Sequence, residues 1–173
     1  MMRRVSQFID SINRWVGNII ALLIIVLVFE VVVGVIARYG FNHPFVWSQE
    51  TASFINGIYI VMGGGYALLL RSHVNVDIVY RLFSPRGRAL ADIFTAVLFF
   101  FFVVLVIWQG GEMAWESITL KEHLATAWHA PVYPFKIFVP LGGFLLLLQG
   151  MSKLLQDFAL LKDGEEHDSG GPL

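Results

Sequence analysis

The stretch Trp15-Val-Gly-Asn-Ile-Ile-Ala-Leu-Leu-Ile-Ile-Val-Leu-Val-Phe-Glu30-Val-Val-Val-Gly-Val-Ile-Ala37 decides the fold. It carries one charge, Glu30. At about 1.5 Å per residue it is long enough to cross the ~30 Å hydrocarbon core of a bilayer with some tilt. Three further stretches qualify: Thr51 to Leu70 and Ile93 to Gly111, both uncharged, and Val132 to Ser152, with Lys136 near its start. None alternates strictly between apolar and polar residues, so barrel strands are excluded and helices remain as the spanning element.

Composition agrees. Of 173 residues, 57% are hydrophobic and 14% charged, against about 45–50% and about 25% in soluble domains; mean hydropathy is +0.69. A water-soluble enzyme and a disordered segment are both excluded by this balance. There is no cysteine, hence no disulfide, thiolate metal site or cysteine nucleophile, and the net charge of −1 gives no basic field for nucleic acid. No phosphate-binding glycine loop, zinc-type histidine pair or serine hydrolase elbow occurs, and the five histidines lie outside the spans or at their ends, away from haem-ligand positions. The chain is expected not to be an enzyme and to need no cofactor of its own. The expected fold is all-α, with spans at about 15–37, 51–70, 93–111 and 132–152 forming one membrane domain over residues 1–155.

Lysines and arginines sort between the connections. Arg3, Arg4, Arg14, Arg71, Arg81, Arg86, Arg88, Lys153 and Lys162 fall on one side; only Arg38, Lys121 and Lys136 fall on the other. The positive-inside rule then places both termini in the cytoplasm and the loops Arg38–Glu50 and Glu112–Pro131 outside. The first span is read as a retained signal anchor, since its apolar run is long and Arg38-Tyr39-Gly40 follows where a small-residue cleavage site would stand. Val5, Phe8, Ile9, Ile12, Trp15 and Val16 recur at helical spacing, which fits either an amphipathic lead-in on the inner surface or a plain continuation of the first helix. Residues 156–173 are polar and glycine-bearing, and are expected to form a disordered cytoplasmic tail.

A few residues stand out chemically. Glu30, at membrane depth, must be paired, protonated or wet; it is either a coupling carboxylate or a structural partner for another helix, and Lys136, at similar depth, is the partner expected. Trp47 and Glu50 open the second span. An interfacial ring and an acid in the first helical turn account for them; the alternative is that they face a partner protein. Arg71 can snorkel to headgroups, and His73 and Asp77, four apart, would share a helix face, as a structural hydrogen bond or headgroup contact rather than a metal site.

Taken in order, Arg38-Tyr39, Trp47-x-x-Glu50, Gly64-x-x-x-Leu68, Arg71-x-His73-x-x-x-Asp77, Trp128-x-x-Pro131 and Pro140-x-Gly142 give the chain, over about residues 10–155, a pattern that resembles the small membrane subunit of tripartite ATP-independent periplasmic (TRAP) transporters. The resemblance implies a bacterial inner-membrane protein that supports a large permease subunit. That partner would hold the substrate and sodium sites, and a periplasmic binding protein would deliver an organic acid for sodium-driven uptake. Two other readings stand beside it: a self-sufficient proton-coupled exporter using Glu30, and an anchor subunit of another membrane complex.

Overall fold

A computed structural model describes residues 2–70 and 85–168, with side-chain surroundings described for 4–70 and 94–156. Helix α1 runs Met2–Gly40, α2 Ser48–Leu69 and α3 Pro85–Thr119; a single turn, α4, covers Tyr133–Lys136, and α5 covers Phe138–Asp168. Four of these are long and apolar enough to span a bilayer, and no strand occurs among the described residues beyond an isolated His123–Pro131 bridge. The chain is a multi-pass, all-helical membrane protein.

The helices outrun the spans. At about 1.5 Å per residue, the 39 residues of α1 exceed the hydrocarbon thickness, so part of it stands outside the apolar layer. The reading of residues 5–16 as a lead-in on the membrane surface gives way to the plain continuation: α1 is unbroken, and Ser6, Ile9 and Asn13 are buried. The polar residues of that segment meet polar residues of α5, so it is held by another helix rather than by headgroups. Nor does the chain lose helicity at residue 156, where disorder was expected, because α5 continues to Asp168. Leu154, Leu155, Ala159, Leu160 and Leu161 are good helix formers, and no proline intervenes.

Helix α3 likewise continues eight residues past Gly111, through the helix-forming Glu112-Met-Ala-Trp-Glu, so the connection that follows is shorter than expected. The break between α4 and α5 has a covalent cause. Pro140 cannot donate to the Lys136 carbonyl four residues back, and its ring crowds that carbonyl.

Helix α5 is the hub. It packs against α1, α2 and α3, while α1 also packs against α2. Two close approaches fix the arrangement. A Cβ at Gly142 would stand 2.5 Å from the Val61 carbonyl oxygen, and one at Gly65 would collide with Asn13 Oδ1 while standing 3.3 Å from the Leu145 carbonyl carbon. These positions let the backbones of α2 and α5 approach each other and let Asn13 of α1 reach the α2 backbone, as small residues do in membrane helix packing. Most of the surface stays uncovered: the most buried span is only 28% buried, and Phe29, Phe94, Phe101, Phe102 and Trp108 are all exposed.

Candidate functional site

Polar side chains gather at the two ends of the bundle. At the end shared by the start of α1 and the later part of α5, Asp10 is an acceptor for three uncharged donors. Gln149 Nε2 and Ser152 Oγ donate to Oδ1 at 2.8 and 2.7 Å, and Gln156 Nε2 donates to Oδ2 at 3.0 Å. Ser6 Oγ lies 2.8 Å from Ser152 Oγ and accepts from Gln156 Nε2 at 2.7 Å. Ser6, Asn13, Gln149 and Ser152 are almost wholly buried. Buried polar groups need such partners; here they join two helices whose chain directions are opposed. No residue of this clasp stood out in the sequence as a candidate. The available signal was the polar row Ser6, Asp10, Asn13 at helical spacing, matched by Gln149, Ser152 and Gln156 in the last helix.

The opposite end is built by two connections. After α1 the chain turns at Asn42, with φ 52°, and the His43 N–H donates to the Ala37 carbonyl at 3.0 Å. Phe45 and Trp47 then stack, with ring centroids 5.4 Å apart and planes 17° apart, before α2 begins. Glu50 sits in the first turn of α2 with Oε2 buried and without a hydrogen-bond partner among the described residues. One turn on, Phe54 stacks on Phe135 of α4 at 4.0 Å.

The second connection is a closed hairpin. Helix α3 ends in a Schellman motif: the Glu122 N–H reaches the Ser117 carbonyl at 3.0 Å and the Lys121 N–H the Ile118 carbonyl at 3.2 Å, with Lys121 in the left-handed region at φ 46°. The Leu124 N–H then donates to Ala130 and the Val132 N–H to Glu122, around a turn closed by His129 N–H to the Thr126 carbonyl. The Glu122 carboxylate accepts from Lys136 Nζ and, at 2.6 Å, from Ser117 Oγ. The Lys136 hydrogen bond, with that of Ser117 behind it, holds the Glu122 carboxyl below its ordinary value.

The expected Glu30–Lys136 pair is therefore not formed. Lys136 lies in the turn ahead of α5, at the loop end, where the hairpin brings Glu122 to it. Glu30 instead accepts from Ser48 Oγ at 2.6 Å, across the α1–α2 contact, and its Oε2 is buried and unpartnered among the described residues. Arg38 places its guanidinium 5.8 Å from the Tyr39 ring centroid. Thus Glu30, Arg38, Trp47, Glu50 and Lys136 all belong to the loop half of the bundle, but in two groups: Glu30 and Arg38 border one groove, while Lys136 joins Glu122. Arg71, His73 and Asp77 lie outside the described residues.

Two grooves open along α1 and α2. One of about 400 Å³ is apolar, bordered by Ile20, Ile24, Tyr59, Gly63 and Ala67; the other, of about 230 Å³, is bordered by Glu30, Arg38, Phe45, Ser48 and Gln49. Neither holds a cluster of metal-ligating side chains among the described residues. The geometry supplies packing surfaces and polar anchors, with no nucleophile set against a base among the described residues.

A sequence model of the tripartite ATP-independent periplasmic transporters, DctQ component, matches residues 24–160, more than three quarters of the chain. The chain belongs to the DctQ component family. It is a transporter component, a TRAP small permease subunit, and not an enzyme. Relatives of this DctQ-family chain include the C4-dicarboxylate TRAP transporter small permease protein DctQ of Vibrio cholerae serotype O1, 27% identical over 127 residues, which are 73% of this chain and 51% of that protein. The sialic acid TRAP transporter permease protein SiaT of Haemophilus influenzae is 23% identical over 105 residues, 60% of this chain and 16% of that protein. The chain thus spans about half the length of one of these relatives and about a sixth of the other. With membership established, the readings as a self-sufficient exporter and as an anchor for another complex are given up.

Proposed function

We propose that this chain supports a large membrane permease subunit in sodium-gradient-driven uptake of an organic acid delivered by a periplasmic binding protein, in a bacterial inner membrane. The family match over residues 24–160, from within the first span to the end of the fourth, carries this reading. The chain's own chemistry is in keeping with it. Transport sites are commonly built from broken helices at a repeat interface, whereas here the break at Ile137 lies at the edge of the apolar layer and Glu30 is engaged by Ser48. Broad uncovered apolar faces suit lipid and a larger neighbour. Sodium would be bound by the partner, with this chain needing no cofactor. Both termini would lie in the cytoplasm, following the nine-to-three division of basic residues, and the loop end with Trp47, Glu50 and the hairpin would face the periplasm.

Reconstitution tests the reading. Liposomes holding this chain alone should show no uptake, and uptake should require the larger subunit, the binding protein and a sodium gradient together; solute transport by this chain alone would overturn it. In the full system Glu50→Gln should lower uptake with the complex still assembled if Glu50 meets a partner. Unchanged uptake would leave Glu50 as an acid in a helix's first turn and nothing more.

A further inference from the structure

The hairpin after α3 brings together two histidines that no helical spacing links. His123 and His129 flank the Leu124 N–H to Ala130 bond of 2.9 Å, and both are exposed. Their ring centroids lie 5.9 Å apart, with planes at 74°. Two imidazoles sharing one zinc ion through Zn–N bonds of about 2.0–2.1 Å hold their centroids about 5.2 Å apart at the tetrahedral angle and about 6.4 Å apart at the linear limit. The observed spacing falls inside that window before any side chain moves.

His123 also has its proton on the suitable nitrogen. Its Nδ1 donates to the Lys121 carbonyl at 2.5 Å. A carbonyl only accepts, so the neutral ring carries its proton on Nδ1 and keeps its lone pair on Nε2. A backbone carbonyl on the far nitrogen is how metal-binding imidazoles are commonly oriented. His129 takes φ 57° in the turn closed by its own N–H to Thr126, a conformation that glycine or asparagine adopts at lower cost. An imidazole thus stands where the backbone favours another residue, and such outliers gather at functional sites. The Lys136 charge at this end is already met by Glu122, and Lys121 is exposed to solvent.

We propose that His123 and His129 together bind one divalent transition-metal ion such as Zn2+, through Nε2 of His123 and a ring nitrogen of His129, with water in the remaining positions. The ion clamps the two arms of the hairpin. Two protein donors are fewer than the four of a structural zinc site, so the ion exchanges, and the transport role neither requires nor excludes it.

Metal titration tests this. The full chain is purified in detergent without a polyhistidine tag, stripped with EDTA and titrated with Zn2+. One equivalent should bind and raise the thermal midpoint, with EDTA reversing the rise. His123→Ala and His129→Asn should each weaken binding about tenfold or more, since even the partners that orient a ligand are worth that much; asparagine keeps the left-handed turn. A chain with His43→Ala, His73→Ala and His167→Ala together should bind as wild type does. Cu2+ in place of Zn2+ should show two imidazole nitrogens by electron paramagnetic resonance in the wild type and one in each single variant. The wild-type copper spectrum needs no variant, so it decides the matter even where a variant fails to fold. No saturable Zn2+ binding below about 1 mM, binding that survives either single change, or a one-nitrogen copper signal in the wild type would overturn the site.

Discussion

Lys121 adopts a conformation that glycine would take more easily. At φ 46° it stands at the residue after the cap of α3, where the Schellman bonds from Lys121 and Glu122 close the helix. A left-handed residue with a Cβ costs about 1 kcal/mol, so Lys121→Gly should raise the thermal midpoint in detergent by the equivalent of several tenths of a kcal/mol, the glycine's extra freedom in the unfolded chain offsetting part of the gain. Beside it, Glu122 has its folded pKa lowered, first by Lys136 and then by Ser117. The sign follows from that direction. The stabilisation is full above the unfolded glutamate value, about 4.3, and is lost as pH falls through the lower folded value. Thermal midpoints of wild type minus Glu122→Gln should therefore be constant from pH 8 to 6 and shrink below about pH 4. A difference that grows on acidification would show the pair to be absent.

The helices carry the next level of the account. The spans were legible because each holds about 20 apolar residues with at most one charge, a pattern that admits no alternative in a bilayer. Their extensions were not, because hydropathy marks the membrane and not the helix: Ser6, Asp10 and Asn13 lower the apolar score just where the helix finds its polar partners in α5. Asp10→Ala would remove the acceptor of three hydrogen bonds, at roughly 0.6 kcal/mol for each such bond between membrane helices, so it should destabilise by up to about 2 kcal/mol in detergent unfolding, with Asp10→Asn recovering part. Proline and glycine positions were visible, but their meaning needed neighbours. Pro140-x-Gly142 marked a motif, while only the packing shows that Pro140 breaks the helix after Lys136 and that Gly142 meets the Val61 backbone. Gly142→Ala pushes a methyl against a carbonyl that has no rotamer to change, and should cost about 1–3 kcal/mol. An equally stable Gly142→Ala would contradict that contact.

For the whole molecule, charge and surface decide more than the core does. The candidate residues of the loop half were found individually, but their pairing was not. Glu30 and Lys136 had matching apparent depth only as long as the fourth span was taken to be one straight helix beginning at residue 132. The hairpin, closed by backbone bonds such as Val132 N–H to Glu122, gives Lys136 a nearer acid. Orientation has a direct check, since the chain lacks cysteine and single cysteines can be introduced freely. Ala127→Cys, in the hairpin turn, should react with a membrane-impermeant thiol reagent from the periplasmic side, and Asp163→Cys should react only after the membrane is opened. The reverse pattern would invert the topology. Beyond orientation, the central claim is that these four helices are an incomplete body whose uncovered faces belong against a larger subunit. Native mass spectrometry of the tagged chain, extracted gently from its own membrane, tests that most directly: the account predicts the 19.5 kDa chain bound to a larger multi-pass membrane protein, and a chain recovered alone or only with copies of itself would contradict it.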